Sequence, residues 1–282
     1  MARKHCVNWY NLLMDALLAR KGLYRSRAGG SIFCDARTLL RQLVNLEKTW
    51  RTFGEILDVV NFENDSLIIK NYFGKNFSIP LNTWGLKPPL SRLKLWPFDV
   101  MGDVVLDIGA YLGDTPLMWL YKGAKQVIAV EPVPLHFEYL KKNVAGLPVV
   151  CLKASLAIQL PFSPREEGSS RYGLRDETNN DQNTLNVPVV QLLELVETYR
   201  PTVVKLSCNG CEHYVLEQLT QITKLGVKKI AVVFCETKGF NPYRSIDFLE
   251  KELGRGVKTL EKVTSISQGK HMRVVAVYWL IN

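Results

Sequence analysis

The stretch Val-Val-Leu-Asp-Ile-Gly-Ala-Tyr-Leu-Gly-Asp-Thr at residues 104–115 decides the fold of this chain. Its apolar beginning is typical of a strand buried on both faces, and such strands occur mainly in parallel sheets. Gly109 and Gly113 allow a tight turn and a close approach of the backbone to a ligand. Asp114 and Thr115 suit the first turn of a helix. The stretch therefore predicts a strand, a glycine turn and a helix in succession.

A second buried strand follows at residues 126–130, and Glu131 comes directly after it. Because the carboxyl ends of parallel strands share one edge of a sheet, we expect Glu131 to lie beside the glycine turn. A carboxylate at that place can accept hydrogen bonds from both hydroxyls of a ribose. The two stretches together predict a ligand that contains a nucleoside.

The spacing of the glycines indicates which nucleoside ligand is expected. Dinucleotide sites need Gly-x-Gly-x-x-Gly to hold a pyrophosphate, whereas this chain has Gly-x-x-x-Gly with Asp107 before it and Asp114 after it. Two acids would repel a pyrophosphate but suit a positively charged ligand. S-adenosylmethionine has a cationic amino group, a sulfonium and no phosphate, and it is the predicted cofactor. The alternative is an α/β core whose glycines only turn the chain.

Several segments in the same order resemble the FkbM-type S-adenosylmethionine-dependent methyltransferases. They lie at 107–115, 128–134, 137–144, 149–155, 186–195 and 203–216, and the similarity extends over about residues 100–282. The resemblance implies a class I methyltransferase fold and methyl transfer from the cofactor. With the strand-end pattern it predicts cofactor contacts at Asp107, Gly109, Ala110, Tyr111, Gly113, Asp114, Thr115, Glu131, Pro132 and Ser155.

One segment departs from the family. The family's element after the fourth strand reads Lys-Ile-Asp-x-Glu-Gly-x-Glu, and here Ser207 and Asn209 replace its first two acids. Lys205, Gly210 and Glu212 remain. A metal or a carboxylate base at positions 207 and 209 is therefore not expected, and no metal site is predicted.

Transfer of a methyl group to a hydroxyl needs a base that removes the proton. Glu236 and His213 are the candidates, since both follow predicted strands. Glu212 and Lys205 lie in the same region, and Lys205 falls within a strand, where burial would require a partner such as Glu236. Structural roles remain open for His213 and for Glu236.

The six cysteines are scattered along the chain and do not form the closely spaced framework of a small disulfide-rich domain. Such usage predicts a reducing compartment, the cytoplasm. Cys208 and Cys211 form a Cys-x-x-Cys pair between a strand and a helix, which is a position typical of dithiol redox motifs. The alternative is two small residues at a tight turn lining the cofactor pocket; zinc would need two more ligands.

Charge is distributed unevenly along the 282 residues. Residues 1–100 carry 15 Lys and Arg against 8 Asp and Glu, a net +7, whereas residues 101–282 carry 21 against 19, a net +2. A solvated basic surface or an anionic partner such as RNA can explain this excess. No apolar run approaches the roughly 18 residues that span a bilayer, and no secretory signal is predicted.

The pattern predicts an N-terminal extension at residues 1–98 and a methyltransferase domain at 99–282. Residues 1–60 have helical spacing of leucines, and residues 67–81 have the pattern of a β-hairpin. The domain is predicted to be α/β, with a doubly wound, mostly parallel, Rossmann-like sheet and a C-terminal antiparallel hairpin. Its predicted strands are 103–109, 126–131, 149–154, 203–208, 228–236, 258–265 and 273–281.

The acceptor and the partners are less closely defined. Residues 163–184 form a polar stretch that is either a substrate lid or a loop without function. The family resemblance implies a sugar, a glycan or a small metabolite as the acceptor, and the predicted reaction is methylation of an oxygen, with a nitrogen as the alternative. RNA bound through the basic extension and a cofactor-binding module without catalysis are the alternatives, and no oligomeric state is predicted.

Overall fold

The computed structural model describes residues 1–52, 56–71, 73–81, 93–156, 162–164, 172–174, 187–208, 210–236, 240–265 and 271–281. The chain divides into two compact units. The first comprises Met1–Arg92 with Glu166–Ser170, and the second comprises Leu93–Arg165 with Arg171–Asn282.

The first unit combines helices with short antiparallel sheets. Its elements are α1 (Ala2–His5), α2 (Trp9–Leu17), β1 (Lys21–Arg25), β2 (Ser31–Asp35), α3 (Ala36–Thr52), β3 (Asn61–Glu63), β4 (Ser66–Lys70) and β5 (Asn76–Pro80). Strand β1 pairs with β2, and β3, β4 and β5 form a second sheet. The predicted hairpin of residues 67–81 corresponds to β4 and β5, whose antiparallel pairing is observed.

The prediction that residues 1–60 are helical was wrong for residues 21–35, which form the β1–β2 hairpin. Strand β1 alternates, because the side chains of Lys21, Leu23 and Arg25 are exposed while Tyr24 is buried. The Tyr24 hydroxyl donates a hydrogen bond to Asp15 at 2.9 Å. Gly29, with φ at +114°, lies in the turn between the two strands.

The second unit alternates strands and helices. Its elements are β6 (Val104–Ile108), α4 (Asp114–Tyr121), β7 (Gln126–Val130), α5 (Pro134–Asn143), β8 (Val149–Leu152), β9 (Ser155–Leu156), β10 (Phe162–Pro164), β11 (Tyr172–Leu174), β12 (Val189–Val190), α6 (Leu192–Tyr199), β13 (Val203–Leu206), α7 (Leu216–Gln221), β14 (Lys229–Cys235), α8 (Pro242–Leu253), β15 (Val257–Ser265) and β16 (His271–Leu280).

A seven-stranded sheet forms the centre of this unit, with the order β15-β16-β14-β13-β6-β7-β8. Five strands of this sheet, β14, β13, β6, β7 and β8, run parallel to one another. Strand β16 pairs antiparallel with both β14 and β15. The chain starts in the middle of the sheet at β6, proceeds to one edge, and then returns to the other side of β6 at β13. Ligand sites in open α/β sheets lie where the order reverses in this way, at the carboxyl ends of the strands.

The predicted fold class is confirmed: the sheet is doubly wound and mostly parallel, and its last two strands form the expected antiparallel hairpin. Burial on both faces explains why these strands are continuous apolar runs in the sequence, because residues 105–108 of β6 and 127–130 of β7 are all buried. The chain after β13 forms a 3-10 turn at Cys211–Tyr214, which is followed by the short α7.

Two small strand pairs flank the main sheet. Strands β9 and β12 pair in parallel, and β10 and β11 pair antiparallel inside the polar stretch at 163–184. The remainder of that stretch lies outside the described residues. In the described part of the chain, no helix is both long and apolar enough to cross a bilayer.

Candidate functional site

The turn after β6 is held against the end of the neighbouring strand β7. The backbone N–H groups of Gly109 and Ala110 both donate to the carbonyl oxygen of Val130, at 2.9 and 3.1 Å. The φ angles of Gly109, Tyr111 and Gly113 are +78°, +53° and +98°. This turn therefore depends on left-handed backbone conformations, which glycine adopts without strain.

Both glycines also permit close packing inside the protein. A Cβ at Gly109 would lie 2.1 Å from the carbonyl oxygen of Ser207, which follows β13. A Cβ at Gly113 would lie 3.1 Å from the side chain of Val144 and 3.3 Å from that of Leu140. Gly109 thus lets the β6 turn contact the backbone after β13, and a side chain at 109 would push these two segments apart.

An ion pair beneath the turn joins Asp107 of β6 to Lys205 of β13. Lys205 Nζ lies 2.8 Å from Asp107 Oδ1, and both side chains are at most 3% exposed. The same ammonium donates to the carbonyl oxygens of Ile108 and Gly109 at 3.2 and 2.9 Å. The indole N–H of Trp119 donates to Asp107 Oδ2 at 3.1 Å. Asp107 therefore holds the strand end in place from below the turn.

The partner of Lys205 differs from the one that the sequence suggested. Burial of Lys205 was expected to require Glu236, and the structure supplies Asp107 instead. The register between β13 and β6 explains this ion pair, because Lys205 and Asp107 are paired positions on these neighbouring strands.

Glu131 lies at the carboxyl end of β7 and is 5% exposed. Its Oε2 accepts a hydrogen bond from the backbone N–H of Tyr111 at 3.0 Å, and its Oε1 accepts one from Val133 at 3.0 Å. His136 Nδ1 lies 3.4 Å from Oε1, and the His136 ring packs edge-on against the Tyr111 ring. The carboxylate is thus held rigidly beside the glycine turn. Each oxygen, with two lone pairs, can still accept a ribose hydroxyl.

Two buried hydroxyls in this region are suited to a polar ligand. Among the described residues, no partner is found for Thr115 Oγ1 or Ser155 Oγ, although each residue is at most 3% exposed. Buried polar atoms are normally hydrogen-bonded, so unpaired hydroxyls indicate a place where a ligand or water completes the set. Asp114 is buried at the start of α4, and Pro132 is half-buried directly after Glu131.

A carboxylate beside a rigid turn, together with unpaired hydroxyls, fits the donors and acceptors of S-adenosylmethionine. The described part of the site offers no cluster of Lys or Arg that would bind a pyrophosphate. Its acids, Asp114 and Glu131, match a cationic ligand that bears a ribose.

The backbone after β13 forms the other side of the site. Ser207 is half-buried and its N–H donates to the carbonyl oxygen of Ile108 at 3.0 Å. Asn209 lies outside the described residues. Glu212 is fully buried; its Oε2 accepts from the N–H of Gly210 and its Oε1 from that of Cys235, both at 2.9 Å. Burial raises the pKa of Glu212, while these hydrogen bonds and nearby His213 oppose the rise.

Cys208 and Cys211 are joined by a disulfide bond. The sequence left open whether this pair was a redox motif or two small residues in a turn, and the scattered cysteines favoured free thiols. The structure corrects that expectation for this pair alone, since Cys6, Cys34, Cys151 and Cys235 form no disulfide bond.

The structure separates the two base candidates. His213 is buried, with Nδ1 2.7 Å from the Ser245 hydroxyl and Nε2 2.9 Å from the carbonyl oxygen of Cys235. A carbonyl only accepts, so Nε2 carries the proton and Nδ1 accepts from Ser245; both ring nitrogens are occupied within the protein. Glu236 follows β14 and is half-buried, and its Oε2 accepts from the N–H of Arg273 at 2.9 Å.

Sequence reasoning missed three contributors to the site, Trp119, His136 and Cys235. Trp119 and His136 reach the site because α4 and α5 begin directly after the strand ends that carry Asp107 and Glu131. Helical spacing from Pro134 could have identified His136 as a residue of the first turn. The contact of Cys235 with Glu212 joins the end of β14 to the 3-10 segment Cys211–Tyr214, and nothing in the sequence signals it.

Comparison with known proteins identifies the family. The model of the methyltransferase FkbM domain matches residues 107–262, which is more than half of the chain. The chain therefore belongs to the FkbM methyltransferase family, and it is an S-adenosylmethionine-dependent methyltransferase. The sequence has no significant match among curated proteins.

Solved structures with a similar chain course include two archaeal proteins. P. horikoshii TYW2, in complex with MeSAdo, is 12% identical, with 89% of this chain and 87% of that chain covered and a TM-score of 0.45. The M. jannaschii tRNA m1G37 methyltransferase is 14% identical, with 89% and 72% covered and a TM-score of 0.44. Similarities this distant say nothing about the acceptor of this chain.

Proposed function

We propose that this enzyme transfers the methyl group of S-adenosylmethionine to an oxygen of a sugar, a glycan or a small metabolite. The observation that supports the cofactor site is Glu131, a buried carboxylate fixed by two backbone N–H groups beside the glycine turn. The family resemblance supports the acceptor class. A cytoplasmic location is part of the same proposal, and the four cysteines outside the disulfide bond support it.

The residues around the turn divide into those that bind the cofactor and those that position the binding residues. Glu131 accepts the ribose hydroxyls, and the hydroxyls of Thr115 and Ser155 complete their hydrogen bonds on the ligand. Asp107, which the sequence predicted as a cofactor contact, is proposed to act with Lys205 through the turn, because their ion pair holds the backbone carbonyl groups of Ile108 and Gly109 in place. The cofactor supplies an electrophilic methyl group on a sulfonium, whose positive charge is lost on transfer.

The protein's contribution to the chemical step is alignment and removal of one proton. Alignment of two bound reactants is worth on the order of 7–11 kcal/mol. Glu236 is the proposed base, because it follows β14 at the edge of the sheet that carries the site and its carboxylate is oriented by the N–H of Arg273. His213 is the weaker proposal, since both of its nitrogens are engaged internally.

RNA is the competing acceptor. The outward face of β1 carries Lys21 and Arg25, both exposed, and this face belongs to the basic first hundred residues. Binding through such a surface would fall steeply with salt, because each phosphate contact releases counterions. If labelled methyl groups are transferred to RNA but to no sugar or metabolite in a panel, RNA replaces the sugar, glycan or metabolite as the proposed acceptor. If they are transferred to neither class, the result favours a cofactor-binding module without catalysis.

Glu131→Ala tests the cofactor site. Loss of the carboxylate should reduce the affinity for S-adenosylmethionine by about 2–4 kcal/mol, since two charge-assisted hydrogen bonds are removed. Isothermal calorimetry measures the change, with Glu138→Ala as the matched control, because Glu138 is an exposed acid on the neighbouring helix α5. Unchanged affinity in a folded Glu131→Ala protein would refute the assignment.

Glu236→Gln tests the base. The amide keeps the size of the side chain and an oxygen for the N–H of Arg273, but it cannot take a proton. Turnover should fall on the order of a hundredfold, with cofactor affinity little changed. Full activity would exclude Glu236 as the base.

A further inference from the structure

The Cys208–Cys211 disulfide lies at the edge of the site and has no role in the proposed methyl transfer. It closes the turn between β13 and the 3-10 segment Cys211–Tyr214, and the two Cα atoms are 5.5 Å apart. That separation lies within the usual range for disulfides, so the backbone need not move for the bond to form. The turn is therefore arranged so that two thiols can be joined or separated in place.

The two cysteine residues differ in exposure. Cys208 is half-buried, whereas Cys211 is 1% exposed. Thiol–disulfide exchange requires a sulfur to approach along the bond that is broken, so the accessible member of the pair reacts with external molecules. In this pair a small thiol or disulfide can reach Cys208, and Cys211 can react only with Cys208.

A carboxyl group adjoins the accessible sulfur. Glu212 Oε2 lies 3.1 Å from Cys208 Sγ, and its two oxygens are held by the N–H groups of Gly210 and Cys235. In the described residues, no Lys or Arg forms an ion pair with Glu212. Burial raises the pKa of this carboxyl group, which brings its proton affinity closer to that of a thiol. Glu212 is thus suited to receive a proton from Cys208.

Three of the other cysteines have thiols that lose their proton less readily than usual. Burial raises the pKa of the thiols of Cys6 and Cys151, and it raises that of Cys34 to about 12, with Asp35 adding to the effect. A raised thiol pKa lowers the fraction of reactive thiolate at neutral pH.

We propose that Cys208, Cys211 and Glu212 form a thiol–disulfide exchange site for low-molecular-weight thiols and disulfides, with Cys208 as the attacking sulfur and Glu212 as its proton acceptor. This site is separate from the proposed methyl transfer and does not depend on it. A reversible pair of this kind is compatible with a reducing compartment, where disulfides are usually transient.

The exchange is balanced in atoms and electrons. In oxidation, the Cys208 thiol gives its proton to Glu212, and the thiolate attacks one sulfur of a disulfide RSSR. One RS⁻ leaves and takes that proton from Glu212, which gives RSH and a Cys208–S–S–R mixed disulfide. The Cys211 thiol then gives its proton to the Glu212 carboxylate, since the sulfur atoms of both cysteines and a carboxylate oxygen of Glu212 lie within 4.8 Å of one another. The Cys211 thiolate attacks Cys208 Sγ, and the second RS⁻ leaves and takes up this proton to form RSH. Two protein thiols are oxidised while one RSSR is reduced to two RSH, and reduction by two RSH is the reverse.

Glutathione buffers of graded composition test the site in the full chain. The folded protein is equilibrated at different ratios of reduced to oxidised glutathione, quenched with acid, alkylated and analysed by mass spectrometry of peptides. We expect the peptide with residues 208 and 211 to change from no added alkyl group to two along the series. A pair alkylated at every ratio, or one that opens only after denaturation, would overturn the proposal.

Single variants test the order of attack. Cys211→Ser should accumulate a glutathione adduct on Cys208, because the resolving thiol is missing, whereas Cys208→Ser should accumulate at least about tenfold less on the buried Cys211. Cys151→Ser, which removes a half-buried free cysteine, is the control and should leave the transition of the wild type unchanged. Equal adducts on both single variants would contradict the assigned roles.

Glu212→Gln tests the proton acceptor. In a protein that melts within a few degrees of the wild type, the rate of adduct formation on Cys208 should fall at least about tenfold, measured in the Cys211→Ser background. Glu217→Gln, an exposed acid on α7, should not alter the rate. An unchanged rate in folded Glu212→Gln would remove Glu212 from the site.

Discussion

Two buried acids on the same side of the sheet, Asp107 and Glu212, have different kinds of partner. Asp107, at the end of β6, faces the ammonium of Lys205 at 2.8 Å and the indole N–H of Trp119. Glu212, after β13, is equally buried but is held by backbone N–H groups and lies beside a sulfur atom. One acid has a lysine ammonium as its partner, whereas the other is held by backbone N–H groups, with His213 nearby.

The difference between the partners of the two acids determines how readily each acid holds a proton. A buried carboxylate with a full cationic partner is a fixed structural charge that keeps neighbouring backbone in place. A buried carboxyl group without such a partner holds its proton more easily, and proton exchange is then accessible to it. The segment after β6, where we propose that the cofactor binds, is thus held rigidly, and the segment after β13 contains the acid that we propose as a proton acceptor.

Lys205→Met should produce the largest effect in this comparison. It leaves Asp107 buried without its cation, and breaking a buried pair in this way costs about 3–5 kcal/mol. Chemical denaturation measures the loss of stability. Lys141→Met is the control, because Lys141 and Glu138 are 50% and 62% exposed and such pairs contribute about 1 kcal/mol or less.

A double variant distinguishes charge from packing. Asp107→Asn added to Lys205→Met removes the uncompensated charge, so part of the lost stability should return. If Lys205→Met alone is as stable as the control, the contrast between the two acids does not hold.

Gly109→Ala should have the next largest effect, since it tests the contact between the two sides of the site. The substitution places a Cβ 2.1 Å from the carbonyl oxygen of Ser207 at a φ of +78°. We expect a loss of about 2–4 kcal/mol, from overpacking together with the strained backbone.

Gly146→Ala is the matched control for this clash. Gly146 has φ of +73°, and a Cβ there would meet nothing within 4 Å. Only the conformational cost of about 1–2 kcal/mol then applies. Thermal unfolding of both variants separates the effect of the clash from that of the backbone strain. Equal losses of stability would show that the segment at Ser207 can move away from the new Cβ with little loss of stability.

The pH dependence of stability should show the smallest effect. The pKa of Glu212 is raised in the folded protein above its ordinary value of 4.5. Between the unfolded and the folded pKa the native state binds more protons than the unfolded chain, so Glu212 lowers stability progressively as pH rises through that window. The slope is at most about 1.4 kcal/mol per pH unit for one proton.

Glu212→Gln should therefore flatten the decline of stability above pH 4.5, while Glu217→Gln should leave it in place, since Glu217 is exposed. Denaturant midpoints over a series of pH values measure the slope. An identical slope in Glu212→Gln and the wild type would mean that this acid ionises as easily in the folded protein as in the unfolded chain.

The alternation of strands and helices in the second unit could be predicted closely, because each strand is a run of apolar residues and the turns contain residue types that favour turns. Strand β6 was predicted at 103–109 and is observed at Val104–Ile108, and β7 was predicted at 126–131 and is observed at Gln126–Val130. The hairpin at residues 21–35 was missed, since five-residue strands next to leucine-rich helices leave only a weak alternation.

The sequence by itself determined the parallel sheet, the glycine turn and the place of Glu131, since hydrophobic runs and glycines act locally. Only the tertiary structure decided that Asp107 pairs with Lys205, that Gly109 makes room for the carbonyl of Ser207, and that Glu212 contacts Cys208 and Cys235. Two of these contacts, Asp107 with Lys205 and Gly109 with Ser207, join residues almost a hundred positions apart. Strand order and register brought those residues together, and register is a property of the whole sheet that no local pattern contains.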